Sequence, residues 1–293
     1  MSNFWQRAIT GTLFVIVLVG TVLWNKYSFI GLLFVIAVLG IWEYATLFKG
    51  RKNKPNFLGT VIAGVGIAFI WSLVPLDIRN PLLNSYLLGI FIACLSIPIV
   101  FEVVLNKKSS IINIGLSYAG ILYINFGLWA FESLAFSKFY MDCLEAFPYH
   151  SAPVLGFLIL LWSSDTFAYL TGRAFGKTPL APKISPKKTW EGSIGGAICT
   201  IGISFILYKT MGQGQSSFNS LGFFTLFQWV GLAVIIMIFG TFGDLIESKF
   251  KRVLGVKDSG NILPGHGGIL DRFDSLLFAA PFAYLFLELT MNY

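Results

Sequence analysis

Apolar residues occur in nine long runs along this sequence, and polar residues collect in the stretches between them. Each run reaches or approaches the roughly 20 apolar residues that a helix needs to cross a bilayer core of about 30 Å. The pattern predicts an all-α membrane bundle of about nine transmembrane helices. The predicted spans are residues 9–23, 29–48, 57–74, 82–104, 111–131, 153–171, 192–208, 223–242 and 275–289.

The composition agrees with a membrane protein. Of the 293 residues, 56% are hydrophobic and 12% are charged, whereas a soluble domain carries about 25% charged residues. That charge is too little to keep a chain of this length in water. The three cysteines are far apart and predict neither a disulfide framework nor a metal site. We expect the first apolar run to be retained as a helix, because no small-residue cleavage site follows it.

Basic residues are sorted between alternate loops. The loops after the second, fourth, sixth and eighth predicted helices, together with Arg7, hold 17 of the 21 Lys and Arg residues. By the positive-inside rule, these loops and the N-terminus are predicted to face the cytoplasm. The predicted location is the inner membrane, as a multi-pass protein. A membrane explains this sorting better than a nucleic acid, so we expect no nucleic-acid partner despite the net charge of +7.

The two halves of the chain differ in their loops. Residues 1–150 have short loops and few charged residues in their spans, which predicts a scaffold that also offers a dimerisation surface. Residues 151–293 carry two long polar cytoplasmic loops, 173–191 and 244–274. Because long loops usually carry function, we predict that the second half is the catalytic region.

Acidic residues stand at both ends of the second loop. Asp244 closes the eighth predicted helix, while Asp271 and Asp274 open the ninth, three residues apart and therefore on one helix face. Carboxylates of this kind hold the cations that neutralise phosphate oxygens in phosphoryl-type transfer. The alternative is a solvated loop whose acids pair with neighbouring bases, and we favour the catalytic interpretation.

Basic and glycine residues occupy the middle of the same loop. Lys251, Arg252, Lys257 and Arg272 can bind phosphates as point charges or bidentate forks. The glycines of residues 264–268 allow backbone N–H groups to approach a ligand closely. A histidine such as His266 is more often a structural hydrogen-bonder than a phosphate ligand.

A second candidate region begins in the sixth predicted helix. Asp165 lies 12 residues after Pro153, about 18 Å into the bilayer, where an acid is costly and therefore a functional candidate. Pairing with its Ser and Thr neighbours is the structural alternative. Lys187 and Lys188 follow in the next loop and can face either anionic lipid head groups or a nucleotide triphosphate. Glu43 and Glu102 are interpreted as interfacial side chains.

The second loop resembles the phosphatidate cytidylyltransferase family, also called CDP-diacylglycerol synthases. Its pattern is Ser, two residues, Lys-Arg, four residues, Lys-Asp, one residue, Gly, two residues, an aliphatic residue, Pro, one residue, His-Gly-Gly, two residues, Asp-Arg, one residue and Asp. Fourteen positions within 27 residues match it: Ser248, Lys251, Arg252, Lys257, Asp258, Gly260, Leu263, Pro264, His266, Gly267, Gly268, Asp271, Arg272 and Asp274. Residues 165–172 and 185–192 are also similar to the family, and the resemblance is general before them.

The resemblance implies a reaction in which phosphatidate and CTP give CDP-diacylglycerol and pyrophosphate. It also implies Mg²⁺, a second cation such as K⁺, and a homodimer. By this analogy Asp244 and Asp271 are the cation ligands, and Asp244, Asp271, Lys251, Arg252 and Asp274 are the catalytic residues. Substrate binding is assigned to Asp165, Lys187, Lys188, Ser248, Lys257, Asp258, His266, Gly267, Gly268 and Arg272.

Three rival functions are weighed against this one. A transporter of an anionic metabolite usually needs a site at the membrane midplane and a repeat in each half, whereas these charges gather at cytoplasmic helix ends. A CDP-alcohol phosphatidyltransferase needs a second aspartate four residues after the first, and Ser275 stands at that distance from Asp271. A cytidylyltransferase for another lipid phosphate stays open, because the polar motif does not recognise the lipid tail.

Overall fold

The protein is described by a computed structural model at residues 3–74, 81–105, 110–136, 149–211 and 224–291. Within these ranges the backbone forms nine α-helices and a short β-hairpin. In chain order they are α1 (Asn3–Trp24), α2 (Lys26–Leu47), α3 (Phe57–Leu73), α4 (Pro81–Leu105), α5 (Ile111–Ser133), α6 (Ser151–Phe175), β1 (Pro179–Ala181), β2 (Ser185–Thr189), α7 (Trp190–Met211), α8 (Leu226–Val253) and α9 (Leu270–Met291).

Every predicted apolar run corresponds to one of these helices, which confirms the helical, polytopic fold. Seven helices of the described part of the chain are long and apolar enough to cross a membrane, while α1 and α3 contain shorter apolar stretches. Large apolar side chains such as Ile16, Leu88 and Ile198 are exposed along the helices, as lipid-facing residues are. The protein is therefore a multi-pass membrane protein, whereas the count of nine spans and the cytoplasmic N-terminus stay predictions.

Local hydrogen bonds explain where several helices begin and end. Asn25 caps α2 and Thr225 caps α8, each in a reciprocal capping box with the residue three positions later. Helix α8 ends in a Schellman motif, in which the N–H groups of Gly255 and Val256 donate to the carbonyls of Arg252 and Lys251 at 3.1 and 3.0 Å. Gly255 has a φ of 63°, a left-handed conformation that glycine adopts without a steric penalty.

The structure corrects the prediction at both long loops. Helix α8 continues through Val253, so Asp244 lies within the helix instead of closing it. The side chains of these last turns are polar, so hydropathy does not detect them. The helix nevertheless continues, because its backbone hydrogen bonds form within the helix whatever the side chains are. Residues 173–191 are also not a simple loop, because β1 and β2 pair antiparallel there, with Pro179 opposite Thr189.

The described residues divide into two compact units. The first holds α1 to α5 up to Glu132, together with Asp258–Phe273, which includes the start of α9. Its core contains buried residues such as Phe29, Leu33 and Ile124. The second holds α6, the hairpin, α7, α8 and α9 from Asp274 onward. The functional division predicted at residue 150 is a separate question and stays a prediction.

Small residues bring α6 and α7 close together in the second unit. A Cβ atom at Gly192 would lie 2.7 Å from the Ala168 carbonyl oxygen, and one at Gly196 would lie 3.0 Å from the Ala168 Cβ. Small residues four positions apart allow such close packing of membrane helices. This packing fixes α6, which carries Asp165, against the start of α7 and the hairpin strand β2.

Candidate active site

Charged side chains from four elements of the second unit meet in one group, which we call the acidic cluster. It consists of Asp165 on α6, Lys188 on β2, Asp244, Glu247 and Lys251 on α8, and Asp274 on α9. Asp165 interacts electrostatically with Lys188 and is close enough to Asp244 and Asp274 for repulsion. Five of these six residues, all except Glu247, are predicted site residues, and the structure brings those five together.

Lys188 and Asp244 form the central ion pair of the acidic cluster. The Lys188 ammonium contacts Asp244 Oδ2, and the Ser248 hydroxyl donates to Asp244 Oδ1 at 3.1 Å. Both side chains of the ion pair are only partly buried. Asp244 is therefore held in place by two neighbours while its carboxylate stays within reach of a ligand.

Asp274 and Glu247 form the second part of the acidic cluster. The Asp274 and Glu247 carboxyl groups lie within hydrogen-bonding reach of each other, and Lys251 Nζ pairs with Glu247 Oε2 at 3.1 Å. The Ser275 N–H donates to Asp274 Oδ1 at 2.6 Å. Helices α8 and α9 approach closely here: a Cβ atom at Gly243 would lie only 2.6 Å from the Asp274 carbonyl oxygen.

In the first unit, residues 258–269 form a compact segment that we call the motif loop. Asp271 Oδ2 accepts hydrogen bonds from the N–H groups of Ser259 and Gly268, both at 2.8 Å. The Asp271 N–H in turn donates to Ser259 Oγ at 3.3 Å. The Asp271 carboxylate thus ties both ends of the motif loop to the first turn of α9.

The centre of the motif loop is a tight turn. The N–H of Leu263 donates to the Gly267 carbonyl at 3.0 Å, and Gly267 has a φ of 83°. The Arg272 guanidinium donates twice to the His266 carbonyl, from Nε at 2.9 Å and from Nη2 at 2.6 Å. The His266 ring lies 2.7 Å from Thr10 Oγ1, measured at Nδ1. Helix α1 therefore supports this turn, and His266 has a structural contact.

Helix α2 supports the motif loop from its other side. Glu43 is only 2% exposed, and its carboxylate accepts hydrogen bonds from the Ser259 hydroxyl and, at 2.7 Å, from the Ile269 N–H. A side chain at Gly268 would overlap the Glu43 carboxylate and the Ser259 hydroxyl. Glycine is required at this position because the backbone lies directly against the acid.

The remaining predicted site residues lie at the surface of their units. Lys187 precedes Lys188 on β2, so the two side chains leave opposite faces of the strand. Lys187 is exposed, as are Arg252 on the last turn of α8 and Lys257 and Asp258 just after it. These exposed cations are accessible to a soluble anionic ligand.

The oxygen donors of the site suit a hard divalent cation. Mg²⁺ is usually held by one or two carboxylates, with water and substrate phosphates completing its shell. Asp244 and Asp271 offer such oxygens, and no set of three His, Cys, Asp or Glu residues that could hold a metal ion by itself occurs among the described residues. The donor chemistry thus fits the predicted Mg²⁺. The two aspartates belong to different units, so their joint role stays a prediction.

Some residues of these two groups were not predicted. Glu43 and Glu102 are 2% and 0% exposed, so both are buried within the protein. Their predicted depth near the membrane interface stays a prediction. Glu43 is a charged residue inside the second apolar run, which could have indicated a buried functional role. Glu247 is four residues before Lys251, a spacing that could have indicated their ion pair. Ser259 and Thr10 have no comparable signal, because their partners are distant in sequence.

Comparison with known proteins decides the family. The profile of the cytidylyltransferase family matches residues 5–290. The chain belongs to the cytidylyltransferase family. This membership makes it a nucleotidyltransferase and confirms the resemblance drawn from Ser248–Asp274.

Individual relatives of this cytidylyltransferase match it over nearly their whole length. A phosphatidate cytidylyltransferase of Haemophilus influenzae is 33% identical over 290 residues, which cover 94% of this chain and 96% of the relative. Proteins of the same name from Thermotoga maritima and Bacillus subtilis are 33% and 31% identical, covering 88% and 99% of this chain and 87% and 99% of the relatives. The similarity therefore includes the N-terminal helices as well as the motif loop.

Proposed function

We propose that this protein transfers the cytidylyl group of CTP to phosphatidate, forming CDP-diacylglycerol and pyrophosphate. The observation that carries the proposal is the acidic cluster: in a cytidylyltransferase built of membrane helices, it joins carboxylates and lysines from α6, β2, α8 and α9. The names of the full-length relatives support phosphatidate as the lipid substrate.

The proposed reaction exchanges one phosphoanhydride bond for another. An oxygen of the phosphatidate phosphate attacks the α-phosphorus of CTP, and the bond from that phosphorus to the oxygen bridging to the β-phosphorus breaks. Pyrophosphate leaves with that oxygen. The nucleophile is already ionised at neutral pH, so no serine or cysteine nucleophile is needed. Catalysis consists of bringing two anions together and neutralising the charge that develops.

The chain's own cations are suited to this task. Lys188 and Lys251 lie within the acidic cluster, while Lys187, Arg252 and Lys257 are exposed and can bind the triphosphate or the lipid phosphate. The nearby carboxylates keep the lysines oriented when no phosphate is bound. The apolar helix surfaces accommodate the acyl chains of the lipid.

Mg²⁺ would be held by Asp244 and Asp271, and the resemblance implies a second cation such as K⁺. When bound, such cations neutralise phosphate oxygens and polarise the phosphorus toward attack. Ser248 holds Asp244, and the backbone N–H groups of Ser259 and Gly268 hold Asp271. Hydrogen bonds of this kind orient metal ligands before the cation arrives.

We further propose that the site faces the cytoplasm at an inner membrane, where CTP is available, and that the enzyme is a homodimer. The sorting of 17 of the 21 basic residues supports the orientation. The dimer rests on the resemblance alone, and light scattering of the detergent-solubilised protein would measure its mass.

One assay tests the proposed function. Purified protein in detergent is incubated with radiolabelled CTP, Mg²⁺ and phosphatidate, and lipid products are separated by chromatography. We expect labelled CDP-diacylglycerol and an equal amount of pyrophosphate, with at least about 100-fold less product from the Asp271→Asn variant. A preference for an isoprenoid or other lipid phosphate over phosphatidate would move the assignment to that substrate. No consumption of CTP without a sealed compartment would contradict the enzyme assignment and favour a transporter.

A further inference from the structure

Helix α2 contributes a buried carboxylate to the motif loop. Glu43 lies one turn before the end of α2 and is 2% exposed. Burying a carboxylate is costly unless hydrogen-bond donors replace its water. The donors here include the Ser259 hydroxyl and the Ile269 N–H, both from the motif loop. The segment from 259 to 269 is therefore bound to α2 at both of its ends.

Ser259 connects Glu43 to Asp271. Its hydroxyl donates to Glu43 Oε1 and accepts from the Asp271 N–H at 3.3 Å, while its own N–H donates to Asp271 Oδ2 at 2.8 Å. A hydroxyl that donates to a buried carboxylate cannot rotate to another acceptor without leaving that carboxylate unsatisfied. Glu43 thus fixes the rotamer of Ser259, and Ser259 fixes Asp271 from two directions.

The backbone of the motif loop packs against the same carboxylate. A Cβ at Gly260 would lie 2.9 Å from Glu43 Cδ, and one at Gly268 would overlap Oε1. Gly268 also donates its N–H to Asp271 Oδ2 at 2.8 Å. Both backbone donors to Asp271, from Ser259 and Gly268, are therefore held in position by contact with Glu43.

We propose that Glu43 is a positioning residue for Asp271, acting through Ser259 and the Gly268 backbone. The inference rests on the proposed function and adds a role for the N-terminal helices beyond that of a scaffold. Glu43 is close enough to Asp271 for electrostatic repulsion, and we assign its effect on the reaction to the orientation that Ser259 and Gly268 give the Asp271 carboxylate. Supporting residues of this kind typically change metal affinity or activity by about 10- to 100-fold when mutated.

The first unit contains a matched control for this carboxylate. Glu102 is 0% exposed and accepts hydrogen bonds from the Ser110 N–H at 3.1 Å and from Asn113 Nδ2 at 2.7 Å. Like Glu43, it is a buried acid that accepts hydrogen bonds from both the backbone and a side chain. Both of these donors lie just before or within α5 and outside the motif loop. Glu102→Gln therefore reports the cost of neutralising a buried glutamate without disturbing Asp271.

The experiment compares Glu43→Gln, Ser259→Ala, their double variant and Glu102→Gln. For Glu43→Gln we expect kcat per folded protein to fall at least about tenfold and the Mg²⁺ midpoint to rise, whereas Glu102→Gln stays within about twofold of wild type. If the two residues act in one chain, the double variant should lose little more than the more damaged single variant. Additive losses, or a wild-type kcat and Mg²⁺ midpoint in Glu43→Gln, would overturn the proposal.

Hydrogen–deuterium exchange gives a readout that does not depend on turnover. Peptides covering residues 259–271 should take up deuterium faster in Glu43→Gln than in wild type, and no faster in Glu102→Gln. Unchanged exchange overturns the positioning role whatever the activity. Absence of lipid product from wild type overturns the proposed function instead. If Glu43→Gln does not fold, Ser259→Ala breaks the same connection from the loop side, and its exchange and kcat decide the question.

Discussion

The Lys188 ammonium is in contact with the Asp244 carboxylate, so a hairpin strand and a transmembrane helix share one ion pair within the acidic cluster. Asp165 adds a second carboxylate that interacts with the same lysine. Lys188 therefore balances two acids that would otherwise repel each other. This ion pair holds the short strand β2 beside α8. Substituting Lys188 therefore tests the acidic cluster directly.

Replacing Lys188 should impair turnover more than replacing any other residue of the hairpin. Lys188→Ala removes the counter-charge from Asp165 and Asp244, and we expect kcat/KM for CTP to fall at least about tenfold, since opposite charges at this range stabilise ionised groups. Lys188→Arg should keep part of the activity. Lys183→Ala, an exposed change between β1 and β2, is the control. Equal activity in Lys188→Ala and Lys183→Ala would show that Lys188 has no role in the active site.

Neutralising either proposed cation ligand should reduce turnover itself. Asp271→Asn and Asp244→Asn preserve shape but remove charge, and we expect activity to fall at least about 100-fold, on the order of 3 kcal/mol of barrier. Product formation is measured across a Mg²⁺ titration. Asp274→Asn should lose less, because its partners in the acidic cluster are side chains that orient it. A near-wild-type rate and Mg²⁺ midpoint in Asp271→Asn would refute the shared cation site.

Arg252 is expected to bind phosphate as a bidentate fork. It is exposed on the last turn of α8, where its side chain can reach a soluble triphosphate. Arg252→Ala should raise the KM for CTP more than Arg252→Lys does, because lysine keeps the charge but loses the fork. Lys249→Ala, which removes an exposed charge from the same helix, should have a smaller effect. Normal CTP dependence in Arg252→Ala would rule out the phosphate contact.

The close contact of α6 and α7 predicts a stability difference between two glycines of α7. A Cβ at Gly196 would lie 3.0 Å from the Ala168 Cβ and 3.1 Å from the Ser164 carbonyl oxygen, whereas one at Gly202 would meet nothing within 4 Å. Both Gly→Ala changes gain the same helix propensity, so their difference isolates the packing cost of about 1–3 kcal/mol. Melting temperatures in detergent should fall for Gly196→Ala and not for Gly202→Ala. Equal melting temperatures would show that the interface relaxes freely.

The orientation in the membrane can be read from two lysine positions. In a cysteine-free background, Lys257→Cys should resist a membrane-impermeant thiol reagent added to intact cells. Lys209→Cys, on the last turn of α7, should react with it, because it belongs to the four basic residues on the opposite side. Both lysines are exposed on the protein, so a difference in labelling reports the side of the membrane and not burial of the thiol. External labelling of Lys257→Cys would reverse the predicted topology.

The sequence alone was enough to predict the helices, the membrane class and the family. Hydropathy determines where a chain can cross a bilayer, because every backbone polar group in the hydrocarbon must be paired within a helix. The 14 matched positions between Ser248 and Asp274 predicted the family, and the match over residues 5–290 confirmed it. Patterns that depend on neighbouring residues were therefore readable without a structure.

Only the tertiary structure decided which polar residues meet. Glu43 and Ser259 are 216 residues apart in sequence, and Thr10 and His266 are 256 residues apart. No local sequence pattern therefore predicts either contact. The same is true of Lys188, whose choice between lipid head groups and Asp244 depends on how the hairpin folds beside α8. A buried polar side chain takes its partner from whichever element packing brings near it. Packing is a property of the whole fold, and the sequence pattern of one segment does not contain it.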